Sequence, residues 1–249
     1  MQNKWYSVIK GIVGPFLRVY NRPKLVGGDN IPEHGAAIMA SNHQSVADSF
    51  FFPLVCDRQL TFPAKSEYFT GTGVVGAAQR WFFTAVGQVP VERTSEDAGA
   101  RMLEAAQTVL DRGDLFGIYP EGTRSPDGRI YRGRTGMARI AMATGQQVIP
   151  VGMVGSRDAN PIGSWVLRPK KVEVRIGEPI DPHAWAHENG YDISDHETAR
   201  AFTDHVMHEL ARLTGYPYVD VYASDVKKSL EAGEGYPEGA RPGDEMYFH

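Results

Sequence analysis

The chain has 249 residues, 42% of them hydrophobic and 22% charged, with a formal net charge of −4. That length buries a substantial core as one large domain or two small ones, and the composition is that of a soluble globular protein. Cys56 is the single cysteine, which excludes an internal disulfide and fits a reducing compartment; beside Phe50, Phe51 and Phe52 it reads as a small buried hydrophobe.

The charge is unevenly spread. Residues 1–24 hold five Lys or Arg and no acid, whereas Glu178 to His249 holds fifteen Asp or Glu against five Lys or Arg. A basic, aromatic N-terminus on a mildly acidic protein points to a membrane surface and away from nucleic acid, because no basic excess extends through the body. Within that N-terminus the longest uncharged run, Gly11 to Leu17, is far shorter than the roughly 20 apolar residues of a membrane-spanning helix. It also lacks the core and cleavage pattern of a signal peptide. Trp5, Ile9, Ile12, Val13, Phe16, Leu17 and Tyr20 recur at helical intervals, the pattern of an interfacial helix that Pro15 would bend or divide. A helix covering the core fits the same intervals.

Ala36–Ser41, Leu115–Tyr119, Val148–Val154 and Val172–Ile176 read as strands. Between the first two, a long helical stretch is followed by the cap signal Thr94-Ser95-Glu96-Asp97 and a helix to about Arg112. A helix over Gly136–Thr144 stops at Gly145, and Asp195–Leu213 places Ala199, Phe202, Val206, Leu210 and Leu213 on one face. This alternation predicts an α/β fold, a sheet with helices against it. The expected segments are an N-terminal membrane-interfacial helical segment (residues 1–28), a main domain (29–228) and a flexible acidic tail (229–249) rich in Gly and Pro.

Directly after the first strand stands NHQSVAD, residues 42–48. Five residues on an ideal helix leave two side chains roughly 140° apart, so His43 and Asp48 meet only if His43 precedes the helix, with Asn42 or Ser45 near its cap. Paired so, the carboxylate fixes the imidazole tautomer and frees the other nitrogen as a general base. A surface or capping role fits the same residues. YPEGTRS, residues 119–125, leaves a strand through a turn that offers Thr123 and Arg124 to an anion, or else pairs Glu121 with an arginine. GQVPVERT, residues 87–94, delivers Arg93, and Lys65 in PAKSE is a further cation. Two arginines at strand exits suit a phosphate. Arg129, Arg132, Arg134 and Arg139 follow, reaching anionic headgroups or nucleotide phosphates, or simply lying solvated.

NHQSVAD, GQVPVER, YPEGTRS and VIPVGMVG, in this order and at these intervals between about Ala36 and Gly155, resemble the motifs of the glycerolipid acyltransferases, of which the 1-acylglycerol-3-phosphate (lysophosphatidic acid) acyltransferases are the best-known members. The resemblance covers about half the chain. It implies a single acyltransferase-type domain with a mixed central sheet flanked by helices. It further implies His43 as general base and Asp48 as its orienter, with direct attack of a glycerol hydroxyl on an acyl thioester of coenzyme A or acyl carrier protein. Arg93, Glu121, Gly122, Thr123 and Arg124 would form the acceptor phosphate site, with Lys65 a less secure addition. Val148 to Gly155 would line the acyl or acceptor site. No cofactor or metal is implied, and the membrane would be met peripherally or monotopically from the cytoplasmic side. Pro90, Glu92 and Tyr119 depart from the commoner family residues. Glycerol 3-phosphate or another lysophospholipid is the alternative acceptor.

Three other classes fit less of the sequence. GTGVVG, residues 71–76, spells a dinucleotide-binding pattern but follows AKSEYFT, a poor buried strand. His43 and Asp48 lack a third and fourth ligand at zinc-like spacing, and the histidines of the C-terminal third read as surface residues. A non-catalytic membrane-binding protein accounts for the N-terminus alone.

Overall fold

The computed structural model describes residues 4–65, 67–73, 76–77, 80, 88–91, 97–164 and 166–248. Its strands are β1 (Lys24–Val26), β2 (Ala37–Ser41), β3 (Leu60–Thr61), β4 (Pro63–Lys65), β5 (Val89–Val91), β6 (Leu115–Ile118), β7 (Ile130–Tyr131), β8 (Val148–Val154), β9 (Glu173–Ile176) and β10 (Tyr218–Val219). Six of them form one mixed sheet in the order β1-β9-β8-β2-β6-β3. The four strands β3, β6, β2 and β8 run parallel, β9 is antiparallel to β8, and β1 is parallel to β9. The expected α/β class and mixed sheet are therefore present, and the C-terminal ends of β2, β6 and β8 lie along one edge.

Why Ala36-Ala37-Ile38-Met39-Ala40 shows no polar alternation follows from what covers its two faces. Ala37 and Met39 pack with Phe51, Phe52 and Leu54 of the helix Asp48–Val55. Ile38 and Ala40 pack on the other side with Val109, Met137, Ile140, Phe202 and Val206, from the helices Ala98–Leu110, Gly136–Thr144 and His196–Thr214. Each large side chain so buried is worth about 1.5–3 kcal/mol. Gly145 ends the helix Gly136–Thr144 as expected: its φ of 64° suits glycine, and its N–H donates to Ala141 O at 2.8 Å. The cap expected at Thr94-Ser95-Glu96-Asp97 falls largely outside the described residues; Asp97 precedes the helix without a side-chain capping bond. GTGVVG also lies partly outside them.

The N-terminal helix Lys4–Tyr20 continues through Pro15 and is not divided there. Leu17 is buried, Gly14 lies against Leu54, and Asn21 beyond the helix end donates through Nδ2 to Arg168 O and Lys170 O at 2.7 and 3.1 Å. Val8, Phe16 and Val19 are exposed on the outside, Val19 by 79%. The helix thus covers the core with one side and presents apolar residues on the other. No described helix is long and apolar enough to cross a membrane.

Composition predicts a loose tail after Lys228, yet this segment is docked. Tyr218 and Met246 pair through main-chain bonds of 2.8 Å in both directions, Ala240 is fully buried, and Phe248 stacks on His208 at 4.2 Å. Arg129 is the clamp. Its guanidinium donates to Asp127 Oδ2 (2.8 Å), Ala240 O (2.7 Å), Tyr131 Oη (3.1 Å) and Glu245 Oε2 (3.3 Å). Arg132 pairs with Asp220 and lies over Tyr222, and Arg134 donates to Ser224. Arg129 thus holds the tail, and Arg132 and Arg134 hold the stretch from Asp220 to Ser224; Arg134 and Arg139 are exposed, as the solvated reading has them.

Gly117 in β6 is required by contact with its neighbour. A Cβ there would lie 2.4 Å from the ring of Phe62, which stacks on Tyr119 at 5.2 Å. Gly117→Ala is expected to cost about 1–3 kcal/mol by overpacking. Urea unfolding measures it, and an unchanged midpoint would mean that the Phe62 ring has room to move.

Candidate active site

His43 lies in the loop that leaves β2, and Asp48 is the first residue of the following helix. The expected geometry holds: His43 Nδ1 is 3.0 Å from Asp48 Oδ2. That same oxygen accepts the main-chain N–H groups of Gln44 (2.7 Å) and Ser45 (2.8 Å), so the loop folds around a fully buried carboxylate. A carboxylate that only accepts assigns the proton to Nδ1 and leaves Nε2 as the acceptor. The His43 side chain is 17% exposed.

Asn42 does not cap the helix. It is fully buried and extends the β2–β8 pairing with its amide, accepting from Met153 N–H at 2.6 Å and donating to Met153 O at 3.1 Å. Ser45 Oγ accepts Ala47 N–H at 3.1 Å and donates toward Asn160, with O at 2.8 Å and Oδ1 at 2.9 Å. Ser45 thus lies near the helix start as expected, whereas its bond to Asn160 and the β8 tie of Asn42 were not legible in the sequence.

The turn after β6 grips His43 from the other side. Glu121 Oε1 accepts His43 N–H at 3.0 Å, while Ser125 N–H donates to His43 O at 2.8 Å. The second oxygen of Glu121 accepts Tyr131 N–H at 3.2 Å. Tyr119 stacks on the imidazole, centroids 3.9 Å apart and planes 14° from parallel, and its hydroxyl lies 3.1 Å from Ser49 Oγ. Burial, reinforced by Asp48, keeps that phenol protonated. The bend itself uses Gly122, whose φ is 72° and whose N–H donates to Tyr119 O.

Glu121, implied by the resemblance as a phosphate-site residue, bonds main-chain N–H groups in this structure. It is fully buried behind His43 and pairs with no arginine among the described residues; its two main-chain donors occupy it. Burial pushes its carboxyl up to about 8, against the pull of those two N–H groups. Thr123 and Arg124, by contrast, are half-exposed, and Arg124 makes no hydrogen bond or ion pair among the described residues. Thr123 Oγ1 accepts from Lys227 Nζ at 2.8 Å, a contact from the helix Ala223–Glu231 that no motif announced. Arg157 holds the end of the turn through Ser125 O (2.9 Å) and Pro126 O (2.6 Å). Lys65 ends β4 opposite Val91 of β5; its side chain and the whole of Arg93 lie outside the described residues. No cluster of three or more His, Cys, Asp or Glu suited to a metal occurs among the described residues.

The site therefore combines a histidine with one ring nitrogen held by a carboxylate, a main chain bonded on both sides, and an uncommitted guanidinium on the residue next to the anchor Ser125. Such a set can take a proton from a hydroxyl whose owner carries an anion. Glu121→Ala leaves two buried N–H groups unpaired and is expected to lose about 1–3 kcal/mol for each. Because the folded carboxyl lies above its ordinary range, its stabilising contribution is full at pH below about 4.5 and is lost as pH rises through about 8. The wild-type advantage over the variant in urea unfolding should accordingly shrink between pH 5 and 8.5. A constant difference would place the ionisation elsewhere.

The chain is similar to known proteins in both sequence and fold. A family model described as Acyltransferase matches residues 22–154, more than half of the chain. A chloroplastic 1-acyl-sn-glycerol-3-phosphate acyltransferase of Arabidopsis thaliana is 30% identical over 71% of this chain and 46% of its own length. One from Bacillus subtilis is 25% identical over 69% of this chain and 77% of its own. The chain thus spans about half the length of the chloroplastic relatives from Arabidopsis thaliana and Brassica napus. The crystal structure of the 1-acyl-sn-glycerophosphate (LPA) acyltransferase PlsC of Thermotoga maritima superposes with a TM-score of 0.59 at 28% identity, covering 82% of this chain and 77% of that one. The chain belongs to the acyltransferase family.

Proposed function

We propose that the protein transfers a fatty acyl group from a thioester of coenzyme A or acyl carrier protein to the free glycerol hydroxyl of 1-acylglycerol 3-phosphate, giving phosphatidic acid. The observation that carries this reading is the turn Tyr119–Ser125: it bonds both main-chain groups of His43 and also bears the uncommitted Arg124. An acceptor whose phosphate is held at Arg124 and Thr123 has its glycerol hydroxyl tethered near the imidazole. The similarity to acyltransferases acting on 1-acylglycerol phosphate supports this choice of acceptor.

His43 Nε2 takes the hydroxyl proton as the glycerol oxygen attacks the thioester carbonyl carbon. Asp48 holds Nδ1–H and offsets the positive charge of the resulting imidazolium. Collapse of the tetrahedral adduct breaks the carbon–sulfur bond, and the departing thiolate takes the proton back from His43. Tyr119, stacked on the ring, and Glu121, beneath its main chain, restrict its motion, so little orientational freedom is left to lose in the transition state. His43→Ala is expected to lower kcat by about 10²–10⁴-fold with the fold intact by circular dichroism. Activity at the wild-type level in this variant would end the general-base role.

The reading places the enzyme on the cytoplasmic face of the cell membrane, as a peripheral or monotopic protein. Phe16 (59% exposed) and Val19 on the N-terminal helix, and Val46 and Phe50 beside the His43 loop, supply the apolar contacts; Arg18, Arg22 and Lys24 supply the charge. Because Leu17 and Asn21 are buried, point variants test this better than truncation. Phe16→Ser with Val19→Ser should cut co-sedimentation with phosphatidylglycerol vesicles several-fold at unchanged thermal stability, and unaltered binding would put the contact elsewhere.

A further inference from the structure

Lys227 stands out because its position joins two parts of the chain that the family motifs do not connect. It lies on the helix Ala223–Glu231, beyond the residues 22–154 matched by the acyltransferase family. Its Nζ nevertheless donates to Thr123 Oγ1 at 2.8 Å, one residue from Arg124 and two from the Glu121 that holds His43. The helix is fixed there by the arginines following the turn: Arg134 donates to Ser224 and lies over Tyr222, and Arg132 pairs with Asp220.

Resting on the acceptor proposed above, we propose that Lys227 is a third member of the acceptor phosphate site, beside Arg124 and Thr123, and that it selects a phosphomonoester over an uncharged or singly charged headgroup.

An ammonium group has three donors, and the Thr123 bond uses one, leaving two for an anion. Burial holds its pKa below the ordinary lysine range, and the nearby Arg124 guanidinium pushes it in the same direction; Glu121 and Glu231 oppose this and Arg157 adds to it. Neither Lys227 nor Arg124 has an ion-pair partner among the described residues. Two cations held together in a partly desolvated place repel one another, and a doubly charged phosphate relieves that repulsion better than a singly charged diester. Lys228, next in sequence, is exposed and faces solvent, so the like charge beside it on the same helix has no such role.

The test is steady-state kinetics with 1-hexanoylglycerol 3-phosphate and with uncharged 1-hexanoylglycerol as acceptors, backed by titration calorimetry with the former. Lys227→Met should raise KM for the phosphate-bearing acceptor roughly tenfold, leaving kcat within about twofold and KM for the uncharged acceptor unchanged. Lys227→Arg should recover most of the loss, and Lys228→Met should match wild type. Equal losses on both acceptors would reduce Lys227 to a support of the turn and overturn the proposal, as would a KM like that of Lys228→Met. Should the wild type acylate neither acceptor, the acyl-transfer reading fails, and calorimetry still decides on Lys227. A Kd about tenfold weaker in Lys227→Met sustains the phosphate site, and an equal Kd ends it.

Discussion

Both main-chain hydrogen-bonding groups of His43 are held by one turn, the N–H by the buried carboxylate of Glu121 and the C=O by Ser125 N–H. That pair of bonds ties the end of β2 to the end of β6, adjacent parallel strands whose carboxyl ends face the same edge. Everything else in the site depends on it. Asn42 makes the corresponding tie to β8 on the other side, and Asp48 closes the loop from below. With three neighbours fixed, the imidazole has few ways to move, and Tyr119 removes most of those by stacking on its face.

How Glu121 does this has a chemical consequence. A carboxylate facing the substrate phosphate would repel it, and the fold avoids the conflict by burying the acid behind the histidine while the next two side chains of the motif, Thr123 and Arg124, stay at the surface. The sharp bend at Gly122 is what lets adjacent residues serve opposite sides of the turn. Burial also pushes that carboxyl up to about 8, which limits the negative charge the turn adds beside the proposed phosphate.

The parts legible in the sequence are those fixed by side-chain pattern. Ala36–Ser41 reads as a strand because its side chains are apolar or small and its run is short, and Gly145 stops a helix by a conformation that suits glycine. The separation of His43 from Asp48 constrained their geometry because a continuous helix would have set them apart. What escaped is bonded to the main chain, which every residue possesses. Glu121 and Asn42 find N–H and C=O groups that carry no sequence signature, so an arginine partner and a cap position were the natural readings of them. The C-terminal segment escaped partly for the same cause: its Gly, Pro and acids describe a chain with few apolar side chains, but Arg129 reaches the carbonyl oxygen of Ala240 as well as the carboxylate of Glu245.

That docking places a further element at the site. The acyltransferase match ends at residue 154, the last of β8, and the chain then returns through β9 and the long helix His196–Thr214 before β10 pairs with β7. β7 lies only a few residues after the Tyr119–Ser125 turn, so a strand of two residues there fixes where the following helix must lie. Arg129, Arg132 and Arg134 occupy the same short stretch, and each has a partner in the C-terminal part of the chain. A run of arginines that reads as a ligand surface is instead the fastening that brings Lys227 to Thr123. Charge in that stretch bears on the proposed acceptor through the position of a helix.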